Sequence, residues 1–268
     1  MAPVNFTPKN IVTQGFKAQW GINTAVYTRQ TTDLDTSVKA DKVDASTWGT
    51  RFKNDLPGLQ EGTTKITGMH SGVRGQPGDT LPKLVGKTTP VYAWNALETL
   101  NPLAPIGFGP VRVMEYSPKS KMKDAVQFDT ELSAAGAMYS GFILVSPKST
   151  STMLVTGMGL DDDSTSTTGA TSFGGNVQAH FYDVSGGTTP SVTVTVQHST
   201  DGTTWTTLAT LAAVTQANIT NPLIATQSVD IPSTTTVNAH VRASWTTSGT
   251  PTSIQALVMY DRGVDPDS

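Results

Sequence analysis

The chain has 268 residues, of which 37% are hydrophobic and 15% charged, and its formal net charge is −3. This length and apolar content suit one large or two ordinary domains with a buried core. There is no cysteine, which excludes disulfides, cysteine zinc sites and thiol nucleophiles. The apolar runs GFILV and ALVMY are strand-sized, so no membrane span is predicted, and the first residues show no secretory signal.

The charge is unevenly distributed along the chain. Residues 1–149 carry 16 Lys/Arg against 12 Asp/Glu, a balance of +4, whereas residues 150–268 carry two Arg against nine acidic residues, a balance of −7. A composition shift of this kind is typical of two modules with different surfaces, although drift in surface composition explains it equally well. We predict two domains, residues 1–147 and residues 148–268.

The first module is predicted to contain mainly strands, which follow an N-terminal arm of about 15 residues. Polar and apolar residues alternate in KADKVDAST, GTTKITGMHS, GPVRVMEYSP and KDAVQFDTELSA. GDTLPKLVGK predicts a short helix, capped by Asp79 or Thr80 and ended by Gly86. PVYAWNALETLNP, which two prolines bound, is a second and ambiguous helix candidate.

The second module is rich in Thr, Ser and Val and has little helix signal. Six runs have strand character: GNVQAHFYDV, SVTVTVQHS, TTWTTLATL, TQSVDIP, VNAHVRASW and SIQALVMYD. Clusters of turn residues separate them, and STDG predicts a hairpin in which Gly202 supplies the left-handed residue. The pattern favours an immunoglobulin-like or jelly-roll β-sandwich. The whole chain is therefore predicted to be all-β with one or two short helices.

The sequence offers no convincing catalytic or metal site. His180 and Asp183 lie three residues apart on a predicted strand, so their side chains face opposite sides and form no local dyad. No histidine pair has zinc-ligand spacing. The run Asp161–Asp163 lacks the alternating ligands and the glycine of a calcium loop. We predict no enzyme activity, no metal and no cofactor.

Aromatic residues in the second module allow two interpretations. They are candidates for a sugar-stacking platform, as in carbohydrate-binding sandwiches, but each sits inside a predicted strand. Burial in the core is therefore the preferred interpretation. The candidate glycan contacts are Tyr182, Trp205 and Trp245.

Three segments resemble the tail tube (major tail) proteins of long-tailed, non-contractile bacteriophages. VDASTWGTRFKNDLPGLQEGTTKITGMH resembles a family segment in which a strand is followed by a loop, a Pro-Gly-Leu-x-x-Gly element and an ascending strand. VRVMEYSPKSKMKDAVQFDTELSAAGAMYSGFIL resembles the family's closing strands. The run from PSVTVTVQHSTDG to VNAHVRASWTTSGT resembles a β-sandwich that is appended to such proteins in phages of actinobacterial hosts.

The resemblance implies a tail-tube-type β-sandwich or barrel followed by a C-terminal sandwich on the outside of the tube. It implies self-assembly into hexameric rings that stack into the tail tube of the virion, assembled in the host cytoplasm. The lumen would hold the tape-measure protein and conduct genomic DNA without sequence-specific binding. A tail terminator and a distal tail protein would contact the two ends, and no membrane is involved.

Within this picture, the apolar loop predicted at residues 48–61 projects to a neighbouring subunit. A loop of about 14 residues going out and back reaches roughly 20 Å at ~3.3 Å per residue. Aromatic anchors carry much of the energy of an interface. The predicted inter-subunit contacts are Trp48, Arg51, Phe52, Leu56 and Leu59.

Two other functions fit the sequence. One is a virion adhesin or decoration protein whose C-terminal sandwich binds carbohydrate, and the other is a tail terminator, which closes as a single ring.

A DNA conduit should present acidic or neutral groups to the phosphate backbone. The first module is net positive, and the sequence does not tell which of its charges face inward.

Overall fold

The structure is a computed structural model that describes residues 19–23, 25–26, 31–44, 55–71, 76–96, 104–120, 126–145, 174–219 and 225–263. These residues form antiparallel strands and two short helices, which confirms the predicted all-β class. In chain order the elements are β1 (Gln19–Ile22), β2 (Ala25–Val26), β3 (Thr31–Asp44), β4 (Asp55–Met69), α1 (Pro77–Leu84), β5 (Val91–Ala96), β6 (Pro105–Lys119), β7 (Gln127–Ala134), β8 (Tyr139–Val145), β9 (Gly175–Ser185), β10 (Ser191–Ser199), β11 (Thr206–Thr210), β12 (Val214–Thr215), α2 (Gln216–Ile219), β13 (Thr226–Ile231), β14 (His240–Ser248) and β15 (Ser253–Arg262).

The chain separates into two compact units. Unit 1 comprises Met1–Val26, Ala93–Phe108 and Tyr139–Ser268, and unit 2 comprises Tyr27–Tyr92 and Gly109–Met138. The predicted domain boundary, between residues 147 and 148, lies outside the described residues, so that division stays a prediction. Strand β8 from the first predicted domain nevertheless pairs with β15, the last strand of the chain, inside unit 1.

Unit 2 is built on a four-stranded antiparallel sheet in the order β3, β4, β7 and the later part of β6. Side chains alternate between its two faces, as strand geometry requires. On one face the apolar side chains are almost fully buried, and these are Ile66, Val111, Val113, Phe128 and Leu132. The other face carries the charged residues of the same strands.

The β3–β4 hairpin is longer than the sequence suggested. The predicted loop ended at residue 61, but residues 55–61 belong to β4, and Asp44 pairs with Asp55. A register shift between Ala40 and Lys42 accommodates the Pro-Gly-Leu element, because a bulge is one of the few places where a strand accepts proline. Only residues 45–54 connect the two strands, and they lie outside the described residues.

The predicted short helix is confirmed as α1, but its predicted cap is wrong. The helix begins at Pro77 and follows Gln76, because proline suits the first helical position. Thr80 instead donates a hydrogen bond from its hydroxyl to the Gln76 carbonyl within the helix (2.9 Å). Gly86, with φ of +72°, follows the helix as expected.

The second helix candidate is wrong where it can be tested, because Val91–Ala96 is strand β5. This strand pairs with β1, which in turn pairs with β2. Trp20 and Trp94 are almost fully buried in unit 1. The β-branched and aromatic residues of β5, which are Val91, Tyr92 and Trp94, favour a strand over a helix.

Unit 1 contains a β-sandwich. One sheet has the order β13, β9, β15, β8 and the first residues of β6, and the second has β11, β10 and β14 with the short β12. Side chains from both sheets form one apolar core, which includes Phe181, Val194, Trp245 and Val258. All six strand-like runs of the second module coincide with strands, which confirms the sandwich prediction at the level of its strands.

The predicted hairpin at Gly202 is confirmed, because β10 and β11 pair on either side of it and Gly202 has φ of +68°. Gly187, in the turn between β9 and β10, has a similar φ of +64°. The two glycines differ in their surroundings. A Cβ added at Gly187 would collide with the carbonyl oxygens of Gly249 and Thr250, whereas one at Gly202 would meet no atom closer than 3.9 Å.

These two glycines form a matched pair for measuring the close approach of the two turns. We expect Gly202→Ala to lower the free energy of unfolding by about 1–2 kcal/mol, the cost of a left-handed alanine. Gly187→Ala should cost about 3 kcal/mol or more, because steric overpacking adds to the same conformational term. Urea denaturation of both variants measures the difference, and equal losses would contradict the predicted backbone contact.

Candidate functional site

The exposed side of the unit 2 sheet, which we call the charged face, concentrates ionisable side chains. Strand pairing places ten of them on this one side: Asp33, Asp35, Lys39, Glu61, Lys65, Arg112, Glu115, Lys119, Asp129 and Glu131. Six are acidic and four basic, so the balance of this face is −2. The face is therefore acidic although residues 1–149 as a whole are net positive.

One row across the charged face is strongly acidic. Asp35 pairs with Lys65, Lys65 with Glu131, and Glu131 with Glu115. Lys65 Nζ lies 3.6 Å from Glu131 Oε2, but Glu115 and Glu131 are like charges in directly opposed positions. Like charges that face each other destabilise a sheet. Lys65 lies between Asp35 and Glu131, so only the Glu115–Glu131 pair in this row is repulsive, and the row as a whole carries a net charge of −2.

In a second row of the charged face, the charged side chains are stabilised by an ion pair and a hydrogen bond. Lys119 forms an ion pair with Asp129, and Thr67 donates a hydrogen bond to the other oxygen of that carboxylate (3.0 Å). The hydrogen bond from Lys119 lowers the pKa of Asp129, and the same bond raises the pKa of Lys119. Both groups therefore stay ionised at neutral pH.

Two edges of this sheet are open within the described residues. β3 pairs there with β4 alone, and residues 115–119 of β6 pair with β7. Exposed apolar side chains accompany these strands: Val38 on β3 is 62% exposed, and Met114, at a bulge in β6, is 56% exposed. Open strands of this length with apolar side chains are templates for pairing with another chain.

Unit 1 contains a separate polar cluster where four strands of one sheet begin or end. Tyr139 donates its hydroxyl hydrogen to Asp230 Oδ1 (3.0 Å), and Asn176 Nδ2 donates to the same oxygen (2.6 Å). Burial and the bond to Asp230 raise the pKa of Tyr139 to about 12. Asp261 is the register partner of Asn176, and burial raises the pKa of its carboxyl to about 7.

His180 and Asp183 do not form a dyad. The His180 ring is fully buried between Gln178, whose Nε2 lies 2.7 Å from His180 Nε2, and Thr226, whose Oγ1 lies 3.1 Å from Nδ1. Burial lowers the pKa of His180 to about 3, so the ring is neutral. Asp183 instead accepts hydrogen bonds from the hydroxyls of Ser185 and Ser253.

The described part of the chain contains neither a metal-ligand cluster nor a membrane-spanning helix. Within the residues that the structure describes, no group of three or more His, Asp or Glu side chains is placed to hold a metal ion. Neither described helix is long and apolar enough to cross a membrane.

The predicted inter-subunit contacts fall largely outside the described part of the chain. Trp48, Arg51 and Phe52 lie in the segment 45–54, which the structure does not describe. Leu56 and Leu59 lie on β4 and not in a loop. Their contact with a neighbouring subunit stays a prediction.

The three candidate glycan contacts are not brought together. Trp245 is 4% exposed and belongs to the sandwich core, as the preferred interpretation held. Tyr182 packs against a different apolar cluster, which contains Trp94 and Phe108. Trp205 lies at the surface, with the Cζ atom of Arg242 4.1 Å from its ring centroid.

Several solved structures are similar to this chain. A component of the virion of a native gene transfer agent particle is 11% identical, covers 47% of this chain and 96% of its own, and has a TM-score of 0.40. The tube-terminating cap of the anti-feeding prophage is 9% identical, covers 52% of this chain and 99% of its own, with a TM-score of 0.38. The SPP1 Dit protein, described as a paradigm of the hub adsorption apparatus in phages that infect Gram-positive bacteria, is 10% identical, covers 91% and 98%, and has a TM-score of 0.33.

These similar structures are components of phage tails and related particles. At TM-scores this low, the likeness alone carries no conclusion about function. No protein-family model matches the sequence, and no curated protein matches it either.

Sequence reasoning missed the charged face. The signal was present, because charged residues recur at alternate positions in TTDLDTSVKAD and VQFDTELS. Alternation shows that such residues share one face of their own strand, but it does not show which strands lie side by side. The pairing of β4 with β7 supplies that information.

From the polar cluster we expect the stability of unit 1 to depend on pH. Burial raises the pKa of Asp261 in the folded state to about 7, above the 3.8 of an unperturbed aspartate, so the folded state holds the proton more tightly. This contribution to stability is fully present below about pH 4 and is lost as the pH rises through 7. His180 acts in the opposite sense, because its folded-state pKa is lowered, and it favours unfolding as the pH falls from 6.5 towards 3.

The difference between wild type and Asp261→Asn isolates the contribution of Asp261. We expect the stability of the variant relative to wild type to rise between pH 5 and 8, measured by urea denaturation at each pH. His180 cancels in this comparison because both proteins contain it. A difference that does not vary with pH would show that Asp261 is already ionised in the folded protein.

Proposed function

We propose that this chain is a structural virion protein that self-assembles into stacked rings and so forms a phage tail tube, the conduit for DNA ejection. The observation that carries the proposal is the unit 2 sheet, which combines an acidic exposed face with two open edges. The sequence resemblance to tail tube proteins supports the same function independently of this geometry.

The open edges explain how copies would join. Addition of a strand to an exposed sheet edge satisfies the unpaired backbone groups of both partners. If β3 of one copy pairs with β6 of the next, the contact is head-to-tail and closes into a ring at a suitable rotation. Val38 and Met114 would then be covered by the neighbouring copy. Six copies per ring is the number that the resemblance implies.

The charged face explains what such a ring would enclose. A continuous barrel made of these sheets would present one face to its lumen, and the charged face suits that position because it repels phosphate groups. The positive total of the first module is no obstacle, since the balance of this face is negative. The tape-measure protein and genomic DNA would occupy the lumen without sequence-specific binding, and a tail terminator and a distal tail protein would bind at the ends.

Cysteine cross-linking tests the ring contact directly, because the chain has no cysteine of its own. We propose Asp35→Cys on β3 combined in turn with Glu115→Cys, Ser117→Cys or Lys119→Cys on β6. Within one subunit these strands are three strand spacings apart, about 14 Å, which is too far for a disulfide. At least one combination should therefore give oxidised oligomers in a ladder that ends at the ring size on a non-reducing gel.

The single-cysteine variants are the matched controls for this experiment. Each should give no more than dimers, since it lacks the second half of the contact. If all three combinations give only dimers, while electron microscopy still shows rings, then the rings close through a different surface. If neither rings nor ladders form at high concentration, the tail tube proposal itself fails.

The connecting segment 45–54 tests stacking separately from ring closure. We expect replacement of residues 46–53 by a short Asn-Gly turn to preserve β3 and β4, whose pairing reaches Asp44 and Asp55. Negative-stain microscopy should then show single rings in place of tubes, because the anchors Trp48 and Phe52 are removed. Tubes of normal length in this variant would exclude the segment from stacking, and single rings already in the wild type would favour a tail terminator.

A further inference from the structure

A surface cluster on the outer face of the second sheet of unit 1 joins an aromatic ring, a cation and an amide. Arg242 Cζ lies 4.1 Å from the centroid of the Trp205 ring, and Arg242 Nε donates a hydrogen bond to Gln197 Oε1 (2.8 Å). Gln197 and Arg242 are register partners on β10 and β14, and all three residues are partly exposed. The Arg242 guanidinium is thus held in place from two sides.

The terminal nitrogens of Arg242 are available to a ligand. Within the residues that the structure describes, Nη1 and Nη2 of Arg242 have no hydrogen-bond partner, while Nε is used by Gln197. A guanidinium offers two parallel N–H donors along this edge, which match the two oxygens of a carboxylate or phosphate. Because the contact with Trp205 and the bond to Gln197 already hold the guanidinium, little further order has to be imposed when an anion binds.

Arg242 is one of the few positively charged side chains on the sandwich. Between residues 174 and 263 the sequence contains two cationic side chains, Arg242 and Arg262, against four aspartates. Arg262 donates its hydrogen bonds to the backbone carbonyls of Val237, Asn238 and Ala239 and so serves the fold. Arg242 is therefore the one Lys or Arg within 174–219 and 225–263 that is open to an external anion.

Hydroxyl groups extend from this cation along the same face. Thr207 is the register partner of Gln197 on β11, and the strands β10 and β14 continue the outer face with threonines and serines. These residues, in register order away from Arg242, are Thr195, Ser244, Thr193, Thr246, Ser191 and Ser248. Hydroxyls both donate and accept hydrogen bonds, so such a surface complements a polyhydroxylated chain.

We infer that this face is a binding site for an acidic, polyhydroxylated polymer, such as a glycan or polyol chain that carries carboxylate or phosphate groups. Arg242 would bind the anionic group, Trp205 would contact the apolar face of the adjoining unit, and the hydroxyl rows would accept the neighbouring units. The inference does not depend on the tail tube proposal, because the site lies within one subunit.

Binding measurements on the full chain test this inference. The probes are polygalacturonate, which supplies carboxylates, polyglycerol phosphate, which supplies phosphates, and neutral dextran. We expect calorimetry to show binding of at least one polyanion and none of dextran, and the two anionic probes identify which group is preferred. Arg242→Gln should weaken binding at least tenfold, and Arg242→Lys should recover part of the loss, because it restores the charge without the paired donors.

Lys87→Gln is the matched control, since it removes one positive charge from an exposed position in unit 2. It should leave the affinity unchanged. Equal weakening by Lys87→Gln and Arg242→Gln would mean non-specific attraction of a polyanion and would overturn the site. Absence of binding to both polyanions, or equal binding of dextran, would overturn it as well. Assembly of the Arg242→Gln variant, followed by microscopy, separates this outcome from failure of the tail tube proposal.

Discussion

The register between β4 and its two neighbours is the constraint on which unit 2 depends. A shift of β4 by one residue would turn Ile66 to the solvent and bring Glu61 and Lys65 onto the apolar face in its place. Burial of an unpaired carboxylate costs several kcal/mol, roughly, so the register is strongly determined. The same alternation that builds the core therefore builds the charged face. The acidic surface is fixed as firmly as the core, and no loop is needed to position it.

The sandwich strands of unit 1 could be predicted because their signals are local. Period-two alternation and glycine-rich turns mark each strand, and Gly202 adopts the left-handed conformation that its hairpin needs. The β3–β4 hairpin was harder, since Pro57 and Gly58 are loop residues in most contexts but here occupy a bulged strand. Strand β5 was ambiguous because a short apolar run fits either period. The pairing of β8 with β15 has no local signal at all.

In the candidate sites, too, local spacing predicts some features, whereas others depend on which strands lie side by side. That Arg242 and Trp245 face opposite sides of β14 follows from their spacing alone, and the structure places one at the surface and the other in the core. The spacing does not predict which residue covers Arg242, because Trp205 comes from a different part of the chain, directly before β11. The net charge of the first module was misleading for a related reason. A total charge says nothing about which side chains share a face, and cross-strand register decides that.

In the proposed ring, the opposed Glu115 and Glu131 side chains would link the folding of one copy to the assembly of many. In a single sheet their repulsion is relieved by water and by Lys65. In the proposed ring, acidic rows from all copies would face one lumen, so the repulsion would grow with each copy added. Edge-to-edge strand pairing would have to offset it, and salt would assist, since the Debye length is ~10 Å at 0.1 M ionic strength. A tube lined in this way would be held together at its edges against the charge of its own inner surface.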